Sequence, residues 1–444
     1  MNKIILSFIV SSSLAFSQTI DFDKALELTL KNNKQIKNSK IDLDISKKNN
    51  DELLGVELGQ LQFNHEASNT NHPGYVFNSK LSSREVNIAK DFVQDKLNNP
   101  DDRNNFTSKI SYSLPLFTGF KITNQKDILK LQNRANELKI NLNKKQLSFE
   151  VLKAYNAAVV AKEYIQAVEK TKEAISFVVK QANEFHKEGL VTKIDVKQAK
   201  VHEYNVNSKL IEAKNNFDIA IAYLKFLTSD DKISDVTNMK HIYCDIDSLD
   251  DLYKEAIKNR DEFKMQEINK LAMKKNIDIA KSEYLPSVYS HLEYGFNDNK
   301  IDLDNTKDYY MAVVGLKYNI FDMTRSAKSE KATLQYKKSV NNLEQLQDNI
   351  KLEIQKSVSD LKAKEKILSE KIKSKELASE VFEQSNLMYK NQLISMTNLL
   401  EQEANLQRNE AELISAKYKY SLALAKIALV LGIDFTQYKG TNND

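Results

Sequence analysis

The sequence predicts a mainly α fold, internally duplicated, with four β-strands set between very long helices. Three observations predict it. First, Gly189-Leu190-Val191-Thr192-Lys193-Ile194-Asp195 recurs 203 positions later as Gln392-Leu393-Ile394-Ser395-Met396-Thr397-Asn398. The match continues in register through Leu210-Ile211 with Leu413-Ile414 and Ala213-Lys214 with Ala416-Lys417. Upstream, Leu116-Phe117 pairs with Ile320-Phe321, and Leu30-Lys31-Asn32 with Ile257-Lys258-Asn259. Such self-similarity marks one supersecondary unit used twice. Second, the chain has only nine glycines and four prolines, so residues 116–285 and 287–444 contain no forced helix break. Third, four segments alternate apolar and polar residues, the period of a strand with two unlike faces.

The elements follow in order. Residues 1–17 read as a signal peptide: Asn2-Lys3, an apolar run from Ile4 to Phe16, and the small-x-small site Ala15-Phe16-Ser17. The run is too short to span a bilayer. The first repeat covers 18–228. It opens with a helix from about Asp21 to Leu54, where Ala25, Leu26, Thr29 and Ile36 recur every three or four residues. A strand over 56–68 follows, with Leu61, Phe63 and Ala67 opposite Gln62, Asn64 and Glu66. Residues 69–104 read as a polar loop with turns at His72-Pro73-Gly74 and Asn98-Asn99-Pro100-Asp101. The second strand, 105–117, puts Phe106, Ile110, Tyr112 and Leu114 on one face and Thr107, Lys109, Ser111 and Ser113 on the other.

A long helix is predicted over 122–187, with a length close to 100 Å. Its 3–4 apolar spacing marks a coiled-coil seam, interrupted by Lys145. Gly189 ends it. Thr192-x-x-Asp195 starts the next helix, 193–228, as a capping-box pattern. Residues 229–248 read as a linker. The second repeat, 249–432, restates the order: a helix, strands at 287–297 and 309–321, a long helix at 325–390 and a helix at 397–431, with a tail over 433–444.

Composition limits the function. Charged residues make up 28% with a net charge of +4 and interspersed signs, which describes solvated helix faces and no nucleic-acid footprint. The single cysteine, Cys244, excludes an intrachain disulfide, and six scattered histidines make no metal-ligand pattern. There is no His-Glu-x-x-His, no Gly-rich phosphate loop and no nucleophile set, so neither an enzyme nor a cofactor is expected.

Alternating strands of this length suit a transmembrane β-barrel wall, with Phe106, Tyr112, Tyr294, Phe296, Tyr310 and Tyr318 as interfacial girdles. A soluble sheet packed on helices fits the strands equally well. The export signal favours the barrel, as do helices too long and too evenly charged to cover a sheet. Four strands cannot close, and hydrocarbon tolerates no open edge. Two copies give eight strands, whose interior side chains fill; three give twelve, which leaves a conduit. A trimer is therefore expected. Glu66, Lys109, His291, Glu293 and Lys317 would then face the lumen; each also reads as an ordinary solvated strand position.

The ordered set resembles the TolC family of outer membrane efflux proteins. It comprises a signal peptide, a helix–strand–strand–helix–helix unit occurring twice, Ser113-Leu114-Pro115-Leu116-Phe117-Thr118-Gly119, and the turn beginning at Gly189. The resemblance spans the mature chain. It implies a homotrimer in which a 12-stranded outer membrane β-barrel joins a periplasmic α-barrel of coiled-coil helices. It also implies a passive exit duct of a tripartite efflux pump or type I secretion system. The partners would be a periplasmic membrane-fusion adaptor and, through it, an inner-membrane transporter of the RND or ABC type. The two helix–helix turns match the family's adaptor-docking tips: Gly189, Leu190, Val191 and Thr192 in the first, Gln392, Leu393, Ile394 and Ser395 in the second. Gln392 stands where the family usually has glycine.

In that family the closed channel is held by hydrogen bonds and ion pairs between neighbouring tip helices, above rings of acidic residues that face the pore. Tyr389 stands at the matching tyrosine, Ile394 where an arginine sits, Asn398 and Glu401 at the ring positions, and Asp195 at an aspartate of the partner turn. The missing arginine and carboxylate imply a weak tip lock and weak cation block. Gly189, Thr192 and Ser395 also read as plain helix caps, and Asp195 as a capping carboxylate. A periplasmic coiled-coil adaptor is the competing function. It would need Gly-rich small β-domains, which the paired strands here do not resemble.

Overall fold

The computed structural model describes residues 18–242, 248–301 and 306–435. The expected signal peptide and Cys244 lie outside them, as does most of the tail. The chain forms two compact units that cut across the duplication. One comprises Met1–Ile41, Leu138–Lys264 and Glu344–Asp444; the other comprises Asp42–Glu137 and Met265–Leu343.

In the first unit, β1 (Gln18–Ile20) leads into α1 (Phe22–Asn32). The single predicted opening helix is in fact two, because α2 (Lys34–Leu58) starts afresh after Asn33. Asn33 leaves helical geometry (φ −59°, ψ 131°), and its side chain accepts from the Gln35 amide at 2.8 Å. The second repeat breaks at the equivalent place: α8 (Leu249–Asn259) and α9 (Asp261–Ser282) are separated by Arg260 (φ −72°, ψ 121°). Lys145 explains its own position in the seam. It lies on α6 (Lys121–Lys187), and its Nζ bonds Asp261 Oδ2 at 2.6 Å and the Asn259 carbonyl at 3.2 Å. The lysine thus satisfies the end of α8 and the carboxylate that opens α9.

α7 (Lys193–Thr228) returns along α6. The segment predicted as a linker holds β4 (Ile233–Val236), which pairs in parallel with β1. Strands of three and four residues carry too little pattern to be read alone. Here they stand because Ile20, Ile233, Val236 and Ile242 are buried around Tyr155 and Phe22. Phe435, near the end of the described chain, belongs to the same core. The unit is completed by the later part of α10 (Thr324–Lys390) and by α11 (Met396–Val430).

The second unit carries the main sheet: β2 (Gln60–Thr70), β3 (Arg103–Phe117), β5 (Ser287–Asp298) and β6 (Asp308–Lys317). Their order is β2-β3-β5-β6, all antiparallel. The strand expected at 56–68 starts later. Helix α2 runs to Leu58, and Gly59 makes the turn at φ 78°, where a Cβ would lie 2.3 Å from the Ser113 carbonyl oxygen. The strand expected to reach 321 stops at Lys317, which pairs with Ser287, the first residue of β5; beyond it the Arg325 guanidinium takes the Asn319 and Ile320 carbonyls at 2.8 and 3.2 Å.

Residues 69–104, expected as a polar loop with turns, hold three helices between the ends of β2 and β3: α3 (Pro73–Ser82), α4 (Ile88–Asp91) and α5 (Gln94–Asn98). Pro73 sits at the start of α3, where its missing N–H costs nothing, so its helix-start role was the available signal.

Candidate functional site: the sheet faces and the helical tips

The register sorts the sheet into two unlike faces. Paired residues of an antiparallel ladder share a face. Leu61↔Tyr112, Ile110↔Tyr294, Leu292↔Ala312 and Tyr294↔Tyr310 build an apolar one. It is uncovered: Phe63 is 69% exposed, Val314 73% and Tyr310 85%. Patches of this size on a solvent-facing surface mark contact with a partner or a membrane. No helix among the described residues is long and apolar enough to cross a membrane.

All five residues expected on the lumen lie together on the other face. Glu66 pairs with Thr107, Lys109 with Gly295, Glu293 with Ser111 and Met311, His291 with Ser113, and Lys317 with Ser287. Lys109 and Glu293 form an ion pair at 3.0 Å, and Tyr309 donates to Glu293 at 2.7 Å. His65 pairs with Ser108 and projects from the apolar face, opposite to His291. β2 and β6 are the outer strands, each with a neighbour on one side only among the described residues.

The helix–helix turns belong to the other unit and have the same construction twice. In the first, Gly189 adopts φ 75°, its N–H donates to His186 O at 3.1 Å, and the Leu190 N–H donates to Phe185 O at 2.8 Å. That 5→2 and 6→1 pair is a Schellman stop. In the second, Gln392 adopts φ 60°, its N–H donates to Tyr389 O at 2.9 Å, and the Leu393 N–H donates to Met388 O at 2.9 Å. A glutamine therefore carries the left-handed strain that glycine avoids in the first copy. The next helices are capped alike. Thr192 Oγ1 accepts from the Asp195 amide at 3.3 Å while Asp195 Oδ2 accepts from the Thr192 amide at 2.8 Å. Ser395 Oγ accepts from the Asn398 amide at 3.3 Å. His186 Nδ1 adds a 3.0 Å bond to the Val191 carbonyl. Leu190, Ile194 and Leu393 remain exposed at the tips.

The candidate gate residues do not form one cluster of contacts. Tyr389 is 3% exposed and packs on Phe185 in a shared core with Val196, Met396 and Leu399. Its hydroxyl finds no hydrogen-bond partner among the described residues. Burial pushes that hydroxyl's pKa up, and the Asp195 carboxylate adds to the shift. Asp195 is committed to the capping box. Asn398 and Glu401 are exposed on α11.

Just beyond, sequence reading missed a polar stretch of the seam between α7 and α11. His202 Nε2 lies 2.5 Å from Glu403 Oε2, and Lys209 Nζ donates to Gln407 Oε1 at 2.5 Å. Glu403 and Gln407 are buried, and they continue the 3–4 spacing set by Met396 and Leu399. That spacing was the legible signal. Burial also pushes Glu410 above the usual carboxylate range, against the pull of Lys375 and Lys170. Among the described residues no group of three or more His, Cys, Asp or Glu is placed to hold a metal ion.

One unit presents an uncovered apolar sheet face, and the other is built of long paired helices. The chain matches the outer membrane efflux protein family over residues 81–229 and 252–433, and it belongs to that family. It is thus an outer membrane efflux channel and not an enzyme, which sets the adaptor alternative aside. Solved structures agree on the fold. The Campylobacter jejuni CmeC outer membrane channel superposes with a TM-score of 0.78 at 16% identity, over 93% of this chain and 85% of that one. The Vibrio cholerae outer membrane protein VceC gives 0.76 at 15%, over 93% and 96%. The open state of the Neisseria gonorrhoeae MtrE outer membrane channel gives 0.75 at 13%, over 94% and 91%. No curated protein matches the chain.

Proposed function

We propose that three copies of the chain close a twelve-stranded barrel through their β2 and β6 edges, making a passive exit duct across the outer membrane. One observation carries this: a four-stranded sheet whose apolar face is uncovered and whose outer strands each lack a second neighbour among the described residues. Lipid would cover the face, and other copies would cover the edges. On this reading the charged face, with Lys109, His291 and Glu293, lines a water-filled lumen.

The helical unit lies in the periplasm and ends in the two tips. The first, with an unstrained Gly189 and exposed Leu190 and Ile194, docks a membrane-fusion adaptor. The second, with Tyr389, Asn398 and Glu401, belongs to the gate. The adaptor links the duct to an inner-membrane pump of the RND or ABC type, in a tripartite efflux system or a type I secretion system. The test is fractionation followed by planar-bilayer recording. Extraction only by detergent, heat-modifiable migration and stepwise conductance are expected. Release by osmotic shock, or a detergent-extracted protein without conductance, would overturn it.

A further inference from the structure

The helical insertion between β2 and β3 packs on the polar side of the sheet. Ser79 of α3 donates to Asn105 Oδ1 at 2.8 Å. Arg103 reaches back to Ser79 at 3.1 Å and Ser83 at 2.7 Å. Asn105 and Arg103 alternate in register with Thr107 and Lys109, on the charged face. Val76 of α3 is buried. Between helix and sheet lies a polar cavity of about 500 Å³, lined by Tyr75, Asn78 and Ser82 from the helix and Glu66, Ser68 and Thr107 from the strands.

The insertion is also fastened at its far end. Arg84 closes α3 in a left-handed conformation, φ 55°, unusual for a side chain of this size. From there its guanidinium donates to the Thr306 and Asp308 carbonyls, both at 2.6 Å, at the entry to β6. Glu85 next to it accepts from Arg103 and Lys307, both at 2.6 Å, and Lys307 bonds Asp298 at 2.7 Å. A strained residue held by several bonds is over-determined by its surroundings, a pattern common at clamps. Leu81, Ile88 and Phe92 of the insertion stay exposed, apolar surface that caps converging on one axis would cover.

We propose that residues 73–101 are an inward-folded cap that narrows the outer mouth of the duct and sets the size of what passes, with Arg84, Glu85 and Lys307 as its latch. This rests on the reading of the charged face as the lumen. Loops that merely border a barrel need no contact with its interior face; this one makes its bonds there.

Size-dependent labelling from outside intact cells tests it. The reporter is Asn64→Cys, on the charged face deeper than the cap, in a Cys244→Ser background. A small membrane-impermeant methanethiosulfonate and a polymer-linked maleimide are applied to three chains: cap intact, residues 73–101 replaced by a short Gly-Ser turn, and Arg84→Ala with Lys307→Ala. The small reagent is expected to label all three. The polymer reagent is expected to label the capless chain about ten-fold faster than the intact one, with the latch variant between them. Equal polymer rates in the intact chain and in whichever variant assembles would overturn the cap and leave the duct standing. Failure of the small reagent in all three would overturn the lumen assignment, and the cap with it.

Discussion

Two glycines with nearly the same backbone offer a sharp comparison. Gly59 and Gly189 have φ of 78° and 75°. A Cβ at Gly189 would meet nothing within 4 Å, whereas one at Gly59 would sit 2.3 Å from Ser113 O and 3.1 Å from Leu114 Cα. Alanine at Gly189 therefore carries only the left-handed penalty, about 1 kcal/mol. Alanine at Gly59 carries that and a displacement of the β3 backbone, about 2–4 kcal/mol together. Gln392→Gly removes the same left-handed strain but frees the unfolded chain, so a net gain below about 1 kcal/mol is expected. Denaturant unfolding of the purified protein in detergent, followed by helical circular dichroism, reads all three. A loss at Gly189→Ala equal to that at Gly59→Ala would refute the steric reasoning. A clear loss at Gln392→Gly would refute the claim that glutamine is strained there.

Other consequences follow from single contacts. Lys145→Met leaves the buried Asp261 carboxylate unpaired and should cost about 3–5 kcal/mol, largely recovered when Asp261→Asn is added; the same unfolding assay measures both. Burial raises the Glu85 pKa, but bonds from Lys307 and Arg103 outweigh it and leave the carboxyl below its usual range. Its contribution is therefore complete at neutral pH and is lost as pH falls from the ordinary glutamate value, about 4.3, through the lowered one. Cleavage within 73–101 by an acid-active protease should rise over that window in the wild type and be already high in Glu85→Gln. With amide at Asn398 and carboxylate only at Glu401, divalent or trivalent cations should block the channel weakly. Strong block surviving Glu401→Gln would contradict the assignment of that ring.

What the sequence made legible was whatever repeats or alternates. The helix predicted over 122–187 is observed as Lys121–Lys187, and 193–228 as Lys193–Thr228. The alternation of Phe63, Ile110, Tyr294 and Tyr310 gave the faces of the sheet, and those faces hold in the observed register. The helix breaks were hidden because neither Asn33 nor Arg260 is a proline or glycine; each break depends on capping and tertiary contacts. The matched triplets Leu30-Lys31-Asn32 and Ile257-Lys258-Asn259 end directly before them, so the duplication pointed to the place without revealing its meaning. The parallel pair β1 and β4 joins segments over 200 residues apart, beyond any local pattern. Of the candidate site, the tips were readable because caps are local chemistry. The His202–Glu403 pair was not, since it needs two helices side by side.

The central claim is that copies of the chain close a barrel edge to edge. Cysteine pairs scanned along β2 and β6 in a Cys244→Ser background, oxidised in whole membranes, test it most directly. At the matching register the cross-linked ladder should run through two chains to three and stop there, as twelve strands require. A ladder that ends at two chains, runs beyond three, or forms at no register would contradict it.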